Sequence, residues 1–193
     1  MNIDPTLARR IALVAFDVDG TLTDNGVYIG QLPGGGAAET RLELKRFDIQ
    51  DGLGIVMLRR AGIIVAFISA RHSAATSLRA AELGVEHVMQ GKGLQKVPTL
   101  IALGEALNVP LNAMAFMGDD LADVAVMQRV ALAAAPSNAV TEVKAVAAVH
   151  LTKEGGRGAA REFAELLLQA RGEWSGLVDA YLRESAPPDS VGA

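Results

Sequence analysis

Short apolar runs alternate along the chain with segments in which apolar residues recur at helical spacing. The runs predict strands, and most are continuously apolar, as in strands covered on both faces of a sheet. Strands are expected at residues 11–16, 63–69, 85–89, 113–117, 130–134 and 148–151. Helices are expected at residues 51–61, 73–83, 94–107, 121–129, 138–145 and 158–171. This alternation predicts an α/β fold with a doubly wound, Rossmann-like parallel sheet.

Two regions break the alternation. Residues 27–47 contain a short apolar stretch, a glycine-rich stretch and an alternating stretch, which predicts a β-hairpin inserted after the first strand. Residues 185–193 carry the proline, glycine and serine content typical of a flexible tail. The expected organisation is one domain over residues 1–184, including the hairpin, followed by that C-terminal tail.

Composition excludes several classes of protein. Half of the 193 residues are hydrophobic, which excludes a disordered chain, and the lack of cysteine excludes disulfides and thiolate catalysis. A net charge of −4 argues against non-specific nucleic-acid binding. The apolar run at 11–16 is too short for a signal peptide, and no run has the length of a membrane span. We therefore expect a cytoplasmic protein without nucleic-acid or membrane partners.

Five aspartates follow two of the predicted strands. Asp17 and Asp19 end the first strand, and Asp119, Asp120 and Asp123 follow the strand at 113–117. In a doubly wound sheet the ligand site lies at the carboxyl ends of the strands, so neighbouring strands would bring these carboxylates together. Crowded like charges require a cation or large pKa shifts. Oxygen-only ligands select a hard ion, and Mg²⁺ is the predicted cofactor.

Two further residues indicate phosphate chemistry. Ser69 ends a predicted strand, where its hydroxyl and nearby backbone N–H groups can hold phosphate oxygens, and Lys96 can neutralise the same oxygens. Taken singly, Ser69 is an ordinary helix N-cap and Lys96 an ordinary surface charge. Four elements in order, each near the carboxyl end of a predicted strand, favour phosphoryl transfer through an aspartyl phosphate.

These motifs resemble those of the haloacid dehalogenase superfamily. The stretch FDVDGTLTD resembles its first motif, Ser69 its second, Lys96 its third, and GDDLAD at 118–123 its fourth. The resemblance implies that Asp17 is the nucleophile and Asp19 the general acid and base. It implies Mg²⁺ ligands from the Asp17 carboxylate, the Asp19 main-chain carbonyl and Asp119. The same resemblance gives supporting roles near the metal to two further acidic residues, Asp120 and Asp123.

Longer stretches resemble one family within that superfamily, the 3-deoxy-D-manno-octulosonate (KDO) 8-phosphate phosphatases. Examples are LELKRFDIQDGLGI, FISARHS and GGRGAAREF, and the resemblance covers about residues 11–172. It implies a capless homotetramer in lipopolysaccharide biosynthesis, with hairpins at its centre and active sites closed between subunits. The substrate-binding residues it implies are Lys45, Gly52, Ala70, Arg71 and Arg157. Of these, Arg71 and Arg157 suit a sugar-acid carboxylate.

The sequence departs from this family at two places that bear on the substrate. The family usually has arginine where this chain has Gln50. The family also has an acidic residue and a histidine in the segment that corresponds to residues 133–138, and this chain has neither of them there. An alternative substrate is therefore a nine-carbon ulosonic acid 9-phosphate, or a broader set of sugar phosphates. An alternative of another class is a receiver-like signalling module that accepts a phosphoryl group. Asp19 favours hydrolysis, because it lies two residues beyond the nucleophile and can activate water.

Overall fold

The computed structural model describes residues 3–32 and 40–185, and these form an α/β fold around a six-stranded parallel sheet. The helices are α1 (Pro5–Arg10), α2 (Ile49–Arg60), α3 (Ala74–Glu82), α4 (Lys96–Leu107), α5 (Leu121–Met127), α6 (Thr141–Val146), α7 (Ala159–Arg171) and α8 (Trp174–Ser185). The strands are β1 (Leu13–Phe16), β2 (Tyr28–Leu32), β3 (Thr40–Leu44), β4 (Ile64–Ser69), β5 (His87–Gln90), β6 (Met114–Met117), β7 (Leu132–Ala135) and β8 (Val149–His150). A 3₁₀ turn, Leu111–Ala113, precedes β6.

The sheet has the order β5-β4-β1-β6-β7-β8, with every pairing parallel. The first strand, β1, therefore lies in the middle of the sheet, with β4 beside it on one side and β6 on the other. Phe16 at the end of β1 pairs with Phe67 of β4 and with Met117 of β6. The carboxyl ends of these three strands consequently meet at one edge of the sheet, which is where ligands bind in such folds.

Helices cover both faces of the sheet, which explains the continuously apolar strands. In β1, Val14 and Phe16 face a core packed against α2 and α7, while Leu13 and Ala15 face a core packed against α4, α5 and α6. The ring of Phe16 makes an edge contact with Phe163 of α7, with centroids 6.4 Å apart. A strand buried on both faces has no polar side in its sequence.

The predicted hairpin is confirmed by the antiparallel pair of β2 and β3, in which Tyr28 pairs with Leu44. Its glycine-rich tip, residues 33–39, lies outside the described residues. Between Lys96 and Asp119 the chain forms only α4, the 3₁₀ turn and β6. Among the described residues, no segment forms a separate cap domain over the carboxyl edge of the sheet.

Two helices, α1 and α8, were not predicted from the sequence. The Asp4 side chain caps α1 by accepting from the Leu7 N–H, and proline occupies the first helical position. In α8, Trp174 lies against the core, and the Arg161 guanidinium stacks 5.1 Å from the centre of its ring. The predicted tail begins at the last residue of α8, and the rest of it lies outside the described residues. Of the helices described, none combines the length and apolarity needed to cross a bilayer.

Candidate active site

The carboxyl edge of β1, β4 and β6 brings together the residues that the four motifs predict. Asp17 follows β1 directly, and its N–H donates to the Met117 carbonyl of β6 at 2.9 Å. Ser69 is the last residue of β4, and Asp119 lies two residues beyond β6. Lys96 enters from the first turn of α4. Neighbouring strands therefore deliver groups that are distant in sequence to one point.

Four of these residues form what we call the buried acidic corner: Asp17, Lys96, Asp119 and Asp123. The Lys96 Nζ lies 2.6 Å from an Asp17 oxygen and 2.5 Å from Asp123 Oδ1. The other Asp123 oxygen accepts the N–H groups of Asp119 and Asp120, at 3.0 and 3.2 Å. Asp123 thus holds the ammonium group with one oxygen and the turn after β6 with the other.

The acidic corner is electrostatically unbalanced. Burial, followed by the charge of Asp123, raises the pKa of Asp17 to about 8 although Lys96 acts in the opposite direction. Burial likewise raises the pKa of Asp119 to about 7, against the hydrogen bond from Thr21. Burial lowers the pKa of Lys96, but the two neighbouring carboxylates outweigh it and the net shift is upward. The Lys96 ammonium therefore does not offset the effect of burial on the pKa values of Asp17 and Asp119.

The Gly20–Thr21 turn fits closely against Asp119. The Thr21 hydroxyl donates to an Asp119 oxygen at 2.8 Å. Gly20 has a positive φ of 89°, and a Cβ on it would lie 2.1 Å from Asp119 Oδ2. A side chain at position 20 would push the Asp119 carboxylate out of the corner, so glycine is required there.

The donor set of the acidic corner fits a magnesium ion. One carboxylate oxygen from each of Asp17, Asp119 and Asp123 lies within 4.8 Å of the others. Because Lys96 and two backbone N–H groups already engage Asp123, the carboxylates of Asp17 and Asp119 are the better ligands. A hard divalent cation would offset the surplus negative charge and hold these carboxylates ionised.

A second group of residues, which we call the hairpin side, borders the corner: Asp19, Glu43, Lys45, Ser69 and Arg71. The side chain of Lys45 is completely buried, and its Nζ lies 2.6 Å from Asp19 Oδ1 and 3.5 Å from the Thr76 hydroxyl. The other Asp19 oxygen lies 3.5 Å from the Ser69 hydroxyl. The hairpin thus places a cation directly against the predicted acid and base.

The loop that precedes α7 packs against the first-motif turn. Asn138 links the two, because its amide nitrogen donates to the Gly20 carbonyl at 3.0 Å and its oxygen accepts from the Gly155 N–H at 2.7 Å. A Cβ on Gly155 would collide with the Gly20 carbonyl oxygen. Arg157 extends from this loop, with half of its side chain exposed and a nitrogen 3.7 Å from Asp24. Its guanidinium thus lies near the end of the first motif.

The side chains of three further predicted residues, Asp120, Gly52 and Ala70, belong to neither the acidic corner nor the hairpin side. Asp120 is exposed, and its carboxylate caps α5 by accepting from the Leu121 N–H. Gly52 is buried in α2, where a Cβ would meet the guanidinium of Arg79 at 2.3 Å. Ala70 is half-buried in the turn after Ser69. The roles implied for them by resemblance stay predictions.

Sequence reasoning missed three residues that shape the site: Thr21, Glu43 and Asn138. Thr21 stands inside the first motif, and its position next to the Gly20 turn was a signal that could have identified it. Glu43 lies in β3, two residues before Lys45, which directly follows the strand, so alternation directs both side chains to one face of the hairpin. Asn138 lies in the segment that departs from the family, and no sequence signal links it to Gly20.

Comparisons with known proteins agree with this geometry. A family profile described as haloacid dehalogenase-like hydrolase matches residues 84–162. A relative from Salmonella typhi, 3-deoxy-D-manno-octulosonate 8-phosphate phosphatase KdsC, is 36% identical over 170 residues, or 87% of this chain and 85% of the relative.

Solved structures of two similar phosphatases contain ions relevant to this site. The Moraxella catarrhalis 3-deoxy-D-manno-octulosonate 8-phosphate phosphatase, in complex with magnesium, phosphate and KDO, superimposes with a TM-score of 0.82. It is 35% identical, and the match covers 92% of this chain and 97% of that one. The cobalt-bound Haemophilus influenzae phosphatase has a TM-score of 0.79 and 33% identity, over 91% and 99% of the two chains. On this identity and coverage, the protein belongs to the 3-deoxy-D-manno-octulosonate 8-phosphate phosphatase family of the haloacid dehalogenase-like hydrolases.

Proposed function

We propose that this protein is a Mg²⁺-dependent phosphatase that hydrolyses 3-deoxy-D-manno-octulosonate 8-phosphate to KDO and inorganic phosphate. The observation that carries the proposal is the buried acidic corner, in which Asp17 and Asp119 converge beside Lys96 at the carboxyl edge of the sheet. Relatives that bear this activity in their names match most of the chain.

In the first half of the reaction, a carboxylate oxygen of Asp17 forms a bond to phosphorus. The bond between phosphorus and the bridging sugar oxygen breaks, and Asp19 donates a proton to that oxygen as the sugar acid leaves. The Lys45 ammonium, whose Nζ lies 2.6 Å from Asp19 Oδ1, orients the protonated Asp19 side chain in this step. The product of this half is an aspartyl phosphate on Asp17.

In the second half, Asp19 acts as the base. It takes a proton from a water molecule, whose oxygen attacks the phosphorus of the aspartyl phosphate. The bond from phosphorus to the Asp17 oxygen breaks, which releases inorganic phosphate and restores the Asp17 carboxylate and the protonated Asp19 that began the cycle. Because the acid of the first half is the base of the second, one side chain serves both steps.

Charge stabilisation comes from groups around the transferring phosphoryl group. Asp17, Asp119 and, by the family resemblance, the Asp19 carbonyl would hold Mg²⁺, which would supply a Lewis acid for the phosphate oxygens. The Lys96 ammonium adds a fixed positive charge in a buried position, where electrostatic stabilisation is strong. The Ser69 hydroxyl completes the set as a hydrogen-bond donor to a phosphate oxygen.

The sugar acid would bind on the hairpin side, with Arg71 and Arg157 as partners for its carboxylate. Both arginines are partly exposed, Arg71 beside Glu43 and Arg157 near Asp24 at the end of the first motif. A nine-carbon ulosonic acid 9-phosphate is the second candidate substrate. It is favoured by Gln50, which is uncharged and exposed at the start of α2.

We also propose a homotetramer in which neighbouring subunits close the site. The hairpin supports this assembly because it exposes four large apolar side chains: Tyr28, Ile29, Leu42 and Leu44. An exposed apolar surface of this kind is typical of a protein interface. Light scattering coupled to gel filtration would give four times the mass of the chain, and a monomer would contradict the proposal. The expected cytoplasmic location stays a prediction.

A phosphate-release assay tests the activity. Purified protein is expected to release phosphate from the eight-carbon acid phosphate with Mg²⁺, and to lose this activity with EDTA and regain it with added Mg²⁺. The kcat/KM values on the eight- and nine-carbon acids would separate the two candidate substrates. Phosphate release that is unaffected by EDTA would contradict the proposed chemistry.

A further inference from the structure

Glu43 lies between two cations on the hairpin side. Its Oε2 accepts from the Arg71 guanidinium at 2.7 Å, and its Oε1 lies 4.0 Å from the Lys45 ammonium. Only 14% of the Glu43 side chain is exposed. A mostly buried carboxylate therefore joins two positive side chains that the sequence predicts at the substrate, although Glu43 itself was not predicted.

The alternation of β3 explains how one strand supplies this group. Glu43 and Lys45 are two residues apart and point to one face, where they meet Arg71 and Asp19. Leu42 and Leu44 point to the opposite face and are exposed. Glu43 and Lys45 therefore face the site, whereas Leu42, Leu44 and Tyr28, which pairs with Leu44, lie on the face away from it.

Arg71 is consequently anchored at both ends. The backbone N–H of Arg71 donates to the Ser69 hydroxyl oxygen at 3.1 Å, and the backbone carbonyl of Arg71 accepts from that hydroxyl at 3.0 Å. Its side chain, which is 36% exposed, is held by Glu43 through one terminal nitrogen. A guanidinium carries five N–H donors in a planar fork, so this bond leaves donors for a second carboxylate.

We infer that Glu43 is a positioning residue that sets the specificity of the enzyme for a substrate carboxylate. It holds the Arg71 guanidinium at a fixed distance from Ser69. Because Ser69 would bind the phosphoryl group and Arg71 the carboxylate, this distance selects substrates whose two groups are spaced to match. Without Glu43, the long arginine side chain gains rotamer freedom, and substrate binding must then order it. This inference rests on the proposed function and extends it to the recognition of the acid.

A double-mutant cycle tests this role. We would measure kcat and KM for 3-deoxy-D-manno-octulosonate 8-phosphate with the wild type, Glu43→Gln, Arg71→Ala and the double variant. Loss of a charge-assisted hydrogen bond should raise the KM of Glu43→Gln by about tenfold, with kcat changed less than about twofold. Because Glu43 acts through Arg71, the double variant should have the same KM as Arg71→Ala.

Glu105→Gln is the matched control, because Glu105 is exposed near the end of α4, away from the site, and the charge change is identical. Thermal unfolding of each variant separates misfolding from a binding defect. A normal KM in Glu43→Gln would overturn the inference. A double variant whose KM increase equals the product of the increases in the two single variants would also overturn it, because Glu43 and Arg71 would then act independently. Absence of phosphate release by the wild type would instead contradict the proposed function, and the inference would fail with it.

Discussion

The buried acidic corner and the hairpin side are held in place by different parts of the fold. Asp17 and Asp119 are carried by the ends of two neighbouring central strands, and Lys96 by the first turn of a helix packed on the sheet. Glu43 and Lys45 are carried by a hairpin that pairs only with itself among the described strands. The chemistry therefore rests on the most buried part of the molecule, and recognition rests on an insertion.

This difference predicts how the two sides respond to substitution. Changes in the acidic corner should alter the rate of the chemical step and the stability of the metal-free protein, because its charges are buried and unbalanced. Changes at Glu43 and Arg71, the members of the hairpin side proposed to bind or position the substrate carboxylate, should alter KM while kcat and stability change little.

Asp17→Asn should have the largest effect. Without the nucleophile, phosphate release should fall by at least about 1,000-fold. The pKa of Asp17 is raised by burial, so its ionisation costs folding free energy at neutral pH in the absence of metal. The metal-free variant should therefore unfold at a temperature no lower than that of the wild type. Near-normal turnover would contradict the assignment of Asp17 as nucleophile.

Lys96→Met should reduce kcat by about 100- to 1,000-fold, because it removes a buried positive charge beside the transferring group. It should also lower the free energy of unfolding by about 3–5 kcal/mol, since two buried carboxylates lose their partner. Lys92→Met, an exposed lysine before α4, is the control and should change neither quantity. Rapid-quench kinetics and denaturant unfolding measure the two effects, and a stable Lys96→Met protein with normal kcat would contradict the role.

Stability of the metal-free protein should depend on pH in a direction set by the acidic corner. The pKa values of Asp17 and Asp119 are raised, so between their unfolded values near 4 and about 8 the folded state binds more protons. Their contribution to stability is therefore present at low pH and is lost as the pH rises through about 7 to 8.

Mg²⁺ should reverse this loss, because metal binding holds the carboxylates ionised and displaces their protons. The increase in the free energy of unfolding caused by Mg²⁺ should accordingly grow between about pH 5 and pH 8, by up to about 1.4 kcal/mol per pH unit for each displaced proton, and Tm should rise with it. In Asp17→Asn, the stabilisation caused by Mg²⁺ should increase less steeply with pH than in the wild type. Calorimetry with and without Mg²⁺ measures this, and a pH-independent increase would contradict the predicted coupling.

Arg157→Ala should have the smallest effect of the changes predicted for the two sides of the site. Its side chain is half exposed and its ion pairs are long, so the free energy of unfolding should change by less than about 0.5 kcal/mol. KM for the sugar-acid phosphate should rise by about three- to tenfold through loss of a charge partner. Arg129→Ala, which changes an exposed arginine two residues after α5, is the control. An unchanged KM in Arg157→Ala would remove this residue from the substrate site.

The sequence predicted the acidic corner better than the hairpin side, for a physical reason. The carboxyl ends of neighbouring parallel strands meet at one edge of the sheet whatever the conformation of the loops, so Asp17 and Asp119 could be placed from their positions after apolar runs. The pairing of Glu43 with Arg71 depends on how the hairpin folds over the edge of the sheet. Nothing in the local pattern of β3 encodes that approach.

Differences in helix prediction have similar causes. The helix predicted at residues 94–107 ends where α4 ends, at Leu107, and Asn108 after it has the left-handed conformation typical of a helix stop. The helix α8 was missed because its stability comes from contacts with α7, including the stacking of Arg161 on Trp174. Asn138 was missed because its bridge from Gly20 to Gly155 joins three loops.

The account depends most on Asp17 as the group that accepts the phosphoryl group from the substrate. The most direct measurement is rapid acid quench of the enzyme mixed with 3-deoxy-D-manno-octulosonate 8-phosphate and Mg²⁺, followed by peptide mass spectrometry. The account predicts a peptide containing Asp17 that gains the mass of one phosphoryl group, is cleared by hydroxylamine and is absent from Asp17→Asn. Full turnover with no phosphorylated Asp17 at any quench time, or a phosphoryl group on another residue, would contradict it.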